Sequence, residues 1–468
     1  MESIAAYREK VLNGPIGKTM LWLGIPLMVF QLVNVSYNLA DAYWLSKYSE
    51  YAYAAPRQVW PFFMFINAIA QGLAAANMAL ISQAIGAKDY EYAKQAVSYF
   101  ITATLLINSL AAFIFYIARP WIFTYIIATP PEIYPHVMDY SAIIALDLLL
   151  AAFTISYGTI FQAAGDTRTP SRIGLVSSLL NIVLDPFFIS GLGIGSTAVL
   201  PAMGAAGAAI ATVLSRLVGF IILLRVVRRR FPELTPRLTL KVEREWIVKS
   251  FKIGTPVSLM MMTNSLAFMV QNRLINLLGA HVASAAAIGF IIMDLADAAL
   301  WGFTTAVSTM TGQAIGAGLE RRARAVASRA MLYIGLATTG GVLVVYPLRI
   351  VLIQAFTSTT AVIVEADSFI KIFMPSLPFF AIFFIGMAVG RGSGHTLYPT
   401  VLGIVRLWIV RIALGYVLAY TAGIGSTGLW LAMSLSNFVA GLAIIPWILN
   451  GKWTTPVIRK KLSLYHAG

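Results

Sequence analysis

The stretch Gln83-Ala84-Ile85-Gly86-Ala87 occurs twice, returning as Gln313-Ala314-Ile315-Gly316-Ala317, 230 positions later. In both copies a charged, alanine-rich stretch follows, from Lys88 to Lys94 in the first and from Glu320 to Arg324 in the second. The same offset pairs Gly24 with Gly254 and Pro26 with Pro256. Slipped by one residue, it pairs Gly165, Thr167 and Pro170 with Gly394, Thr396 and Pro399. Further on, Gly204 and Gly207 answer Gly425 and Gly428. The chain is thus a head-to-tail duplication of a unit half its length. Parallel halves in an apolar chain are a mark of secondary transporters, which hold their substrate between two similar bundles.

The composition identifies the solvent. Hydrophobic residues make up 59% of the 468 and charged residues 11%, against about 25% charged in a soluble domain. No single water-soluble core can hide that much apolar surface, so the long apolar runs must cross a bilayer at roughly 20 residues each. Cysteine is absent, which excludes disulfides and thiol-ligated metal. Runs broken by glycine, proline and charge give twelve spans. They cover about 18–46, 56–84, 93–118, 132–164, 169–190 and 204–228, then 246–278, 283–315, 325–346, 361–391, 397–421 and 427–449. The expected fold is an all-α polytopic membrane protein, two six-helix bundles related by the duplication. The expected domains are an amino-terminal lobe, 1–228, a linker, 229–245, with Pro232 and Pro236, and a carboxy-terminal lobe, 246–468.

The formal net charge of +15 is distributed in alternation. One set of loops holds Arg8, Lys10, Lys18, Lys88, Lys94, Arg168 and Arg172, then the nine basic residues from Arg225 to Lys252. It continues with Arg321, Arg322, Arg324, Arg329, Arg391, Lys452, Arg459, Lys460 and Lys461. The other set holds only Lys47, Arg57, Arg119, Arg349 and Lys371. Short basic loops stay on the cytoplasmic side, so both termini and the linker are expected there. The charge is a topology signal and a contact for anionic lipid, not a nucleic-acid surface. The expected location is the cell membrane. The first span is too long and polar for a cleavable signal.

Ionisable groups inside the membrane are functional candidates by default. Asp41, Asp147 and Asp185 fall within spans of the first half, where Arg216 is the one base available. The second half has Asp294 and Asp297 with Arg273, Arg406 and Arg411, a set expected to form structural ion pairs. Carboxyls without a cation in an apolar medium exchange protons near neutral pH. In span 1, Gln31, Asn34, Asn38 and Asp41 share one helical face, with Tyr37 beside it. Span 5 repeats the pattern with Ser177, Asn181 and Asp185 at intervals of four. The two spans run in the same direction, so Asp41 and Asp185 should lie at similar depth and share one network, which Asp147 joins or leaves for a polar cavity. Pro26 removes a backbone hydrogen bond within span 1 and marks a candidate hinge.

At these residues the chain resembles the multidrug and toxic compound extrusion (MATE) family, from about Gly14 to Gly451. The likeness is carried by Asn13-Gly14-Pro15-Ile16, Tyr37-Asn38-Leu39-Ala40-Asp41, the first Gln-Ala-Ile-Gly-Ala segment, Ala164-Gly165-Asp166-Thr167-Arg168-Thr169-Pro170, Asn181-Ile182-Val183-Leu184-Asp185-Pro186 and Gly204 to Thr212. It looks most like the prokaryotic DinF-like branch, its archaeal members in particular. The resemblance implies two six-helix bundles around a cleft and export of amphipathic, often cationic compounds in exchange for protons or sodium ions. It also implies an amino-lobe cation site at Asp41 and Asp185, with Tyr37, Asn181 and Tyr140 nearby. The sodium-linked branch carries carboxylates on its seventh and tenth helices. Here span 7 offers Asn264, Gln271 and Arg273, and span 10 has Glu365 and Asp367 only near its outer end, beside Lys371. That departure favours coupling in the first lobe.

Two other classes compete with the ion-coupled antiporter. A lipid-linked oligosaccharide flippase of the same superfamily would use Arg273, Arg406 and Arg411 to hold pyrophosphate. A membrane-embedded transferase would need clustered acids around Mg²⁺, and Asp294 with Asp297 is the nearest approach. No cofactor and no obligatory protein partner is implied; a monomer binding small molecules and membrane lipid is expected.

Overall fold

The computed structural model describes residues 3–194 and 197–458, apart from a few side chains within them, that of Asn38 included. The basic residues Arg459, Lys460 and Lys461 fall outside the described residues.

The first half is built from α1 (Ile4–Asn13), α2 (Ile16–Tyr48), α3 (Glu50–Gly86), α4 (Tyr90–Trp121), α5 (Tyr134–Ala164), α6 (Arg168–Ser190) and α7 (Gly204–Arg230). The second half follows as α8 (Arg244–Asn276), α9 (Ala280–Gly316), α10 (Glu320–Gln354), α11 (Thr360–Phe373), α12 (Leu377–Ser393), α13 (Leu397–Val405), α14 (Leu414–Tyr416) and α15 (Ser426–Asn450). The tenth span is the α11–α12 pair, joined by a single turn at Met374–Ser376 that contains Pro375. The eleventh runs from α13 through α14 with wide π-turns at Arg406–Ala413 and Val417–Thr421. Eleven segments among the described residues are long and apolar enough to cross a bilayer. The twelfth expected span is α9, 37 residues long, which opens on the apolar stretch Ala280–Ile291. Two six-helix bundles result. Two elements lie outside the expected pattern. One is α1, and the other is a hairpin of β1 (Leu192–Ile194) and β2 (Thr197–Leu200) between α6 and α7.

Long helices form here because apolar side chains face lipid as readily as core, and only intrahelical bonds satisfy the backbone in a bilayer. On α4, Leu106, Leu110, Phe113, Ile114 and Ile117 make an exposed stripe at helical spacing. In water that stripe would be an aggregation hazard; against acyl chains it costs nothing. The linker is held down: Phe231 and Leu234 are fully buried, and the backbone amides of Arg237 and Thr239 donate to the hydroxyls of Ser98 and Thr102 on α4.

The repeat governs how the bundles meet. Under the 230-residue offset α8 is the copy of α2, and α9 the copy of α3. The contacts are exchanged accordingly: α2 packs on α9, and α3 packs on α8. The duplicated pentapeptides cross at the basic ends of α3 and α9. A Cβ on Gly86 would collide with the backbone of Gln313, and one on Gly316 with the backbone of Gln83. Each glutamine then reaches into the opposite bundle. Gln83 Nε2 donates to the carbonyls of Gly392 (3.3 Å) and Ser393 (3.0 Å), and its Oε1 accepts from the Val457 amide at 2.9 Å. Gln313 Nε2 donates to the Ala163 carbonyl at 2.8 Å. The acceptors occupy equivalent places, because α5 and α12 both end on a left-handed glycine cap, Gly165 (φ 92°) and Gly394 (φ 81°). Around this seal Arg8 of α1 donates to the carbonyls of Ile85 and Gly86, and Arg322 to those of Val11 and Gly14.

Candidate functional site

Between the bundles lies a cavity of about 590 Å³. On α3 its wall runs from Pro56 to Met78, 22 residues, or about 33 Å of helix at 1.5 Å each. It ends against the seal, where Gln162 lines the wall and its carbonyl accepts from Thr309. The wall is largely apolar and aromatic with a minority of polar groups, the usual composition of a small-molecule site.

Among the polar residues singled out in the sequence, Gln31, Asn34 and Tyr37 from α2, Tyr140 and Asp147 from α5, Ser177 and Asn181 from α6 and Arg216 from α7 line this cavity. Asp41 and Asp185 do not; they stand behind that wall. Asp185 is 0% exposed, with the Asn181 side chain beside it, and neither of its oxygens makes a hydrogen bond of ordinary geometry among the described residues. The Oδ1 atoms of Asp41 and Asn181 are likewise buried and unpartnered. The two carboxyls lie close enough to feel each other's charge. Tyr37 and Tyr140 interact electrostatically with Asp41, so α2, α5 and α6 contribute to one cluster. Asn181 Nδ2 faces Thr212 Oγ1 of α7 at 3.5 Å. Ser177 donates to the Ser215 carbonyl at 2.8 Å and ties α6 to α7. Pro26 lies within α2, which continues helical through it.

Three expectations need correction. Asp147 is not short of a base: Arg216 Nη1 sits 2.8 Å from its Oδ2. Although Arg216 is distant from it in sequence, α7 packs on α5 and brings the guanidinium across. The second-lobe arginines do not form the expected ion pairs with Asp294 and Asp297 among the described residues. Arg406 and Arg411 both donate to Asn437 Oδ1, at 2.9 and 3.1 Å, and Arg411 also donates to Ser436. Asn437 in turn donates to Ser376. A neutral amide takes the direct bonds of these guanidiniums because α15 faces the π-turn that carries them, while Asp297 acts on their charge only from beyond ion-pair distance. Neither they nor Arg273 line the cavity. The structure therefore offers nothing for a flippase-type pyrophosphate site at those three residues. The third correction is Arg391, read above as a loop cation. It lies inside α12 and lines the cavity.

The two acids of the tenth span are committed. Glu365 accepts from Trp430 Nε1 at 2.7 Å, and Asp367 is bridged by Arg349 (2.7 Å) and Lys371 (2.5 Å). Arg391 was within reach of sequence reasoning. The offset of 229 that pairs Gly165 with Gly394 also pairs Gln162 with Arg391, and both line the cavity three residues before the glycine cap.

Two bundles of long apolar helices around a central cavity, with buried carboxyls behind its wall, define a polytopic membrane transporter. The MatE family model matches residues 26–187 and 256–417, one copy on each half, and the chain belongs to that family of transporters, not to the enzymes. It is 27% identical over 399 residues to the probable multidrug resistance protein YoeA of Bacillus subtilis, covering 84% of each chain. It is 26% identical to the FAD transporter of Shewanella oneidensis, over 93% of this chain and 95% of that one. Among solved structures, the Vibrio cholerae MATE transporter VcmN in the bent form superposes with a TM-score of 0.85 at 24% identity. That match covers 94% of this chain and 98% of VcmN.

Proposed function

We propose that this protein is an antiporter of the cell membrane. It exports amphipathic organic compounds, drugs and organic cations among them, in exchange for protons or sodium ions. The coupling ion binds at Asp41 and Asp185, with Asn181, Tyr37 and Asn38 as neighbours, and Pro26 acts as the hinge. The observation that carries this reading is Asp185, wholly buried beside Asp41 and Asn181 with no ion pair to a basic side chain among the described residues. Two neighbouring carboxyls that lack a cation are poor structural glue and a suitable place for an exchangeable one. Drug export is supported by the likeness to the probable multidrug resistance protein YoeA, and the likeness to the FAD transporter widens the range to nucleotides. Lobes at 1–228 and 246–468 would act as a monomer, with the termini and the 229–245 linker in the cytoplasm on the strength of the alternating basic loops.

The test is ethidium efflux from proteoliposomes under an imposed pH or sodium gradient. Asp41→Asn and Asp185→Asn should each abolish it, because an amide keeps the size but cannot release a proton. Wild-type rates in either variant would remove that residue from the coupling site.

A further inference from the structure

Among the described residues, three charged side chains line the cavity: Asp147, Arg216 and Arg391. The first two are spent on each other at 2.8 Å. The wall thus carries two guanidiniums against one carboxylate, and the unmatched charge is Arg391.

Arg391 stands at the floor of the cavity. The next two residues, Gly392 and Ser393, receive Gln83 in the seal. Its own side chain takes no part in that seal. It makes no hydrogen bond and no ion pair with any described residue, and its Nε is buried without a partner. What it has is Trp301, another cavity residue, whose ring centroid lies 5.4 Å from the guanidinium carbon. A cation–π contact offsets only part of what it costs to withdraw a guanidinium from water. Arg391 therefore has no anionic partner among the described residues to balance its charge. A guanidinium is a planar fork of donors that matches a carboxylate, sulfonate or phosphate. Along the rest of the wall stand rings and thioethers, Phe30, Trp60, Phe63 and Met261 among them, which suit a flat apolar body.

We propose that Arg391 is the anion-recognising residue of the cavity, and that the transported class includes amphipathic aromatic compounds bearing a carboxylate, sulfonate or phosphate. This rests on the cavity being the substrate site. It gives the site two poles. Arg391 takes the anionic end at the floor, and the carboxyl cluster behind Tyr37 and Asn181 favours a cationic end in the amino lobe. A zwitterion satisfies both.

The experiment is equilibrium binding to the purified full chain in detergent, without any gradient. The probes are pyrenebutyrate and pyrenebutanol, which share a ring system and differ by one negative charge. Wild-type protein should bind the anion about tenfold more tightly, a difference of about 1.4 kcal/mol. Arg391→Gln should bring the two probes to within about twofold, chiefly by weakening pyrenebutyrate, and Arg391→Lys should keep most of the preference. Equal binding of both probes by wild-type protein overturns the proposal, with no variant needed. So does an Arg391→Gln effect that is the same for both. Displacement of pyrenebutyrate by phosphatidylglycerol but not phosphatidylcholine in mixed micelles would identify the anion's source as a lipid headgroup. Displacement by neither would identify a soluble amphiphile. Equal probe binding alongside intact ethidium efflux would remove the anion site and leave the antiporter standing; charge-selective binding without gradient-driven efflux would do the reverse.

Discussion

Asp147 and Arg216 are the cavity's one internal ion pair, and their energetics differ from those of the unpartnered acids. Asp147 is 2% exposed and Arg216 25%, so the pair is half in the wall and half in the cavity. Removing one member of a fully buried pair costs about 3–5 kcal/mol, mostly through the charge left behind. With Arg216 partly solvated, Asp147→Asn should cost less, about 1–3 kcal/mol. Asp147→Asn with Arg216→Gln should recover most of that loss, because no charge is then stranded. Thermal unfolding of the detergent-solubilised single and double variants measures this, and losses that simply add would contradict the coupling. At this scale the sequence was informative wherever helical spacing sufficed. Asn34 beside Tyr37 on one helix, and Ser177 with Asn181 on another, were legible as members of polar faces from periodicity alone. The partnership of Asp147 was not, because it depends on which face α7 turns toward α5, and no local pattern encodes that.

At the scale of elements, the repeated pentapeptide is a reciprocal clasp. Each glycine admits the other copy's backbone, and each glutamine bonds the end of the equivalent helix, α12 or α5, in the opposite bundle. Gln83 makes two such bonds and accepts a third from the Val457 amide, whereas Gln313 makes one. Leaving a buried partner unsatisfied costs about 1–3 kcal/mol, enough to shift a two-state equilibrium severalfold. Gln83→Ala and Gln313→Ala should both open the seal, Gln83→Ala the more. Alkylation of Ala163→Cys by a membrane-impermeant maleimide from the basic side should be faster in both backgrounds. Unchanged rates would mean that the seal is held elsewhere. The duplication and ten of the twelve spans were readable to within a few residues because apolar runs end at glycine, proline and charge. The helix α1 escaped notice because it is short and amphipathic, burying Ile4, Tyr7, Val11 and Leu12 while Arg8 grips α3. The hairpin between α6 and α7 escaped because its few residues carry no span-like signal.

At the scale of the whole molecule, exchange requires that ion and substrate not occupy the same lobe together, since a ligand shifts conformations only through differential affinity. Asp41 and Asp185 lie behind the wall that Tyr37 and Asn181 present to the cavity, so their charge reaches a substrate without direct contact. Tyr37 on their own wall and Tyr140 on α5 face Asp41, and Asp147 on α5 and Arg216 on α7 act on those two tyrosines. With the carboxyls ionised, the amino lobe attracts a cationic end; with them protonated, the remaining wall charge is positive, from Arg216 and Arg391 against Asp147. Affinity for a permanently charged cation should therefore fall as pH is lowered through the titration of the pair, which behaves as one coupled unit. For an anionic probe the slope should be opposite and shallower, because Arg391 lies at the floor, away from the pair. Pro26→Ala should leave these affinities nearly unchanged and slow turnover, since it restores a backbone hydrogen bond in α2 without touching a ligand. The measurement is equilibrium binding of tetraphenylphosphonium and pyrenebutyrate from acid to alkaline pH in sodium-free detergent. Flat affinity for the cation would rule out competition with protons; a dependence that appears only when sodium is added would make sodium the coupling ion. The same two probes in Asp41→Asn/Asp185→Asn protein should give pH-independent binding fixed at the wild-type acid limit.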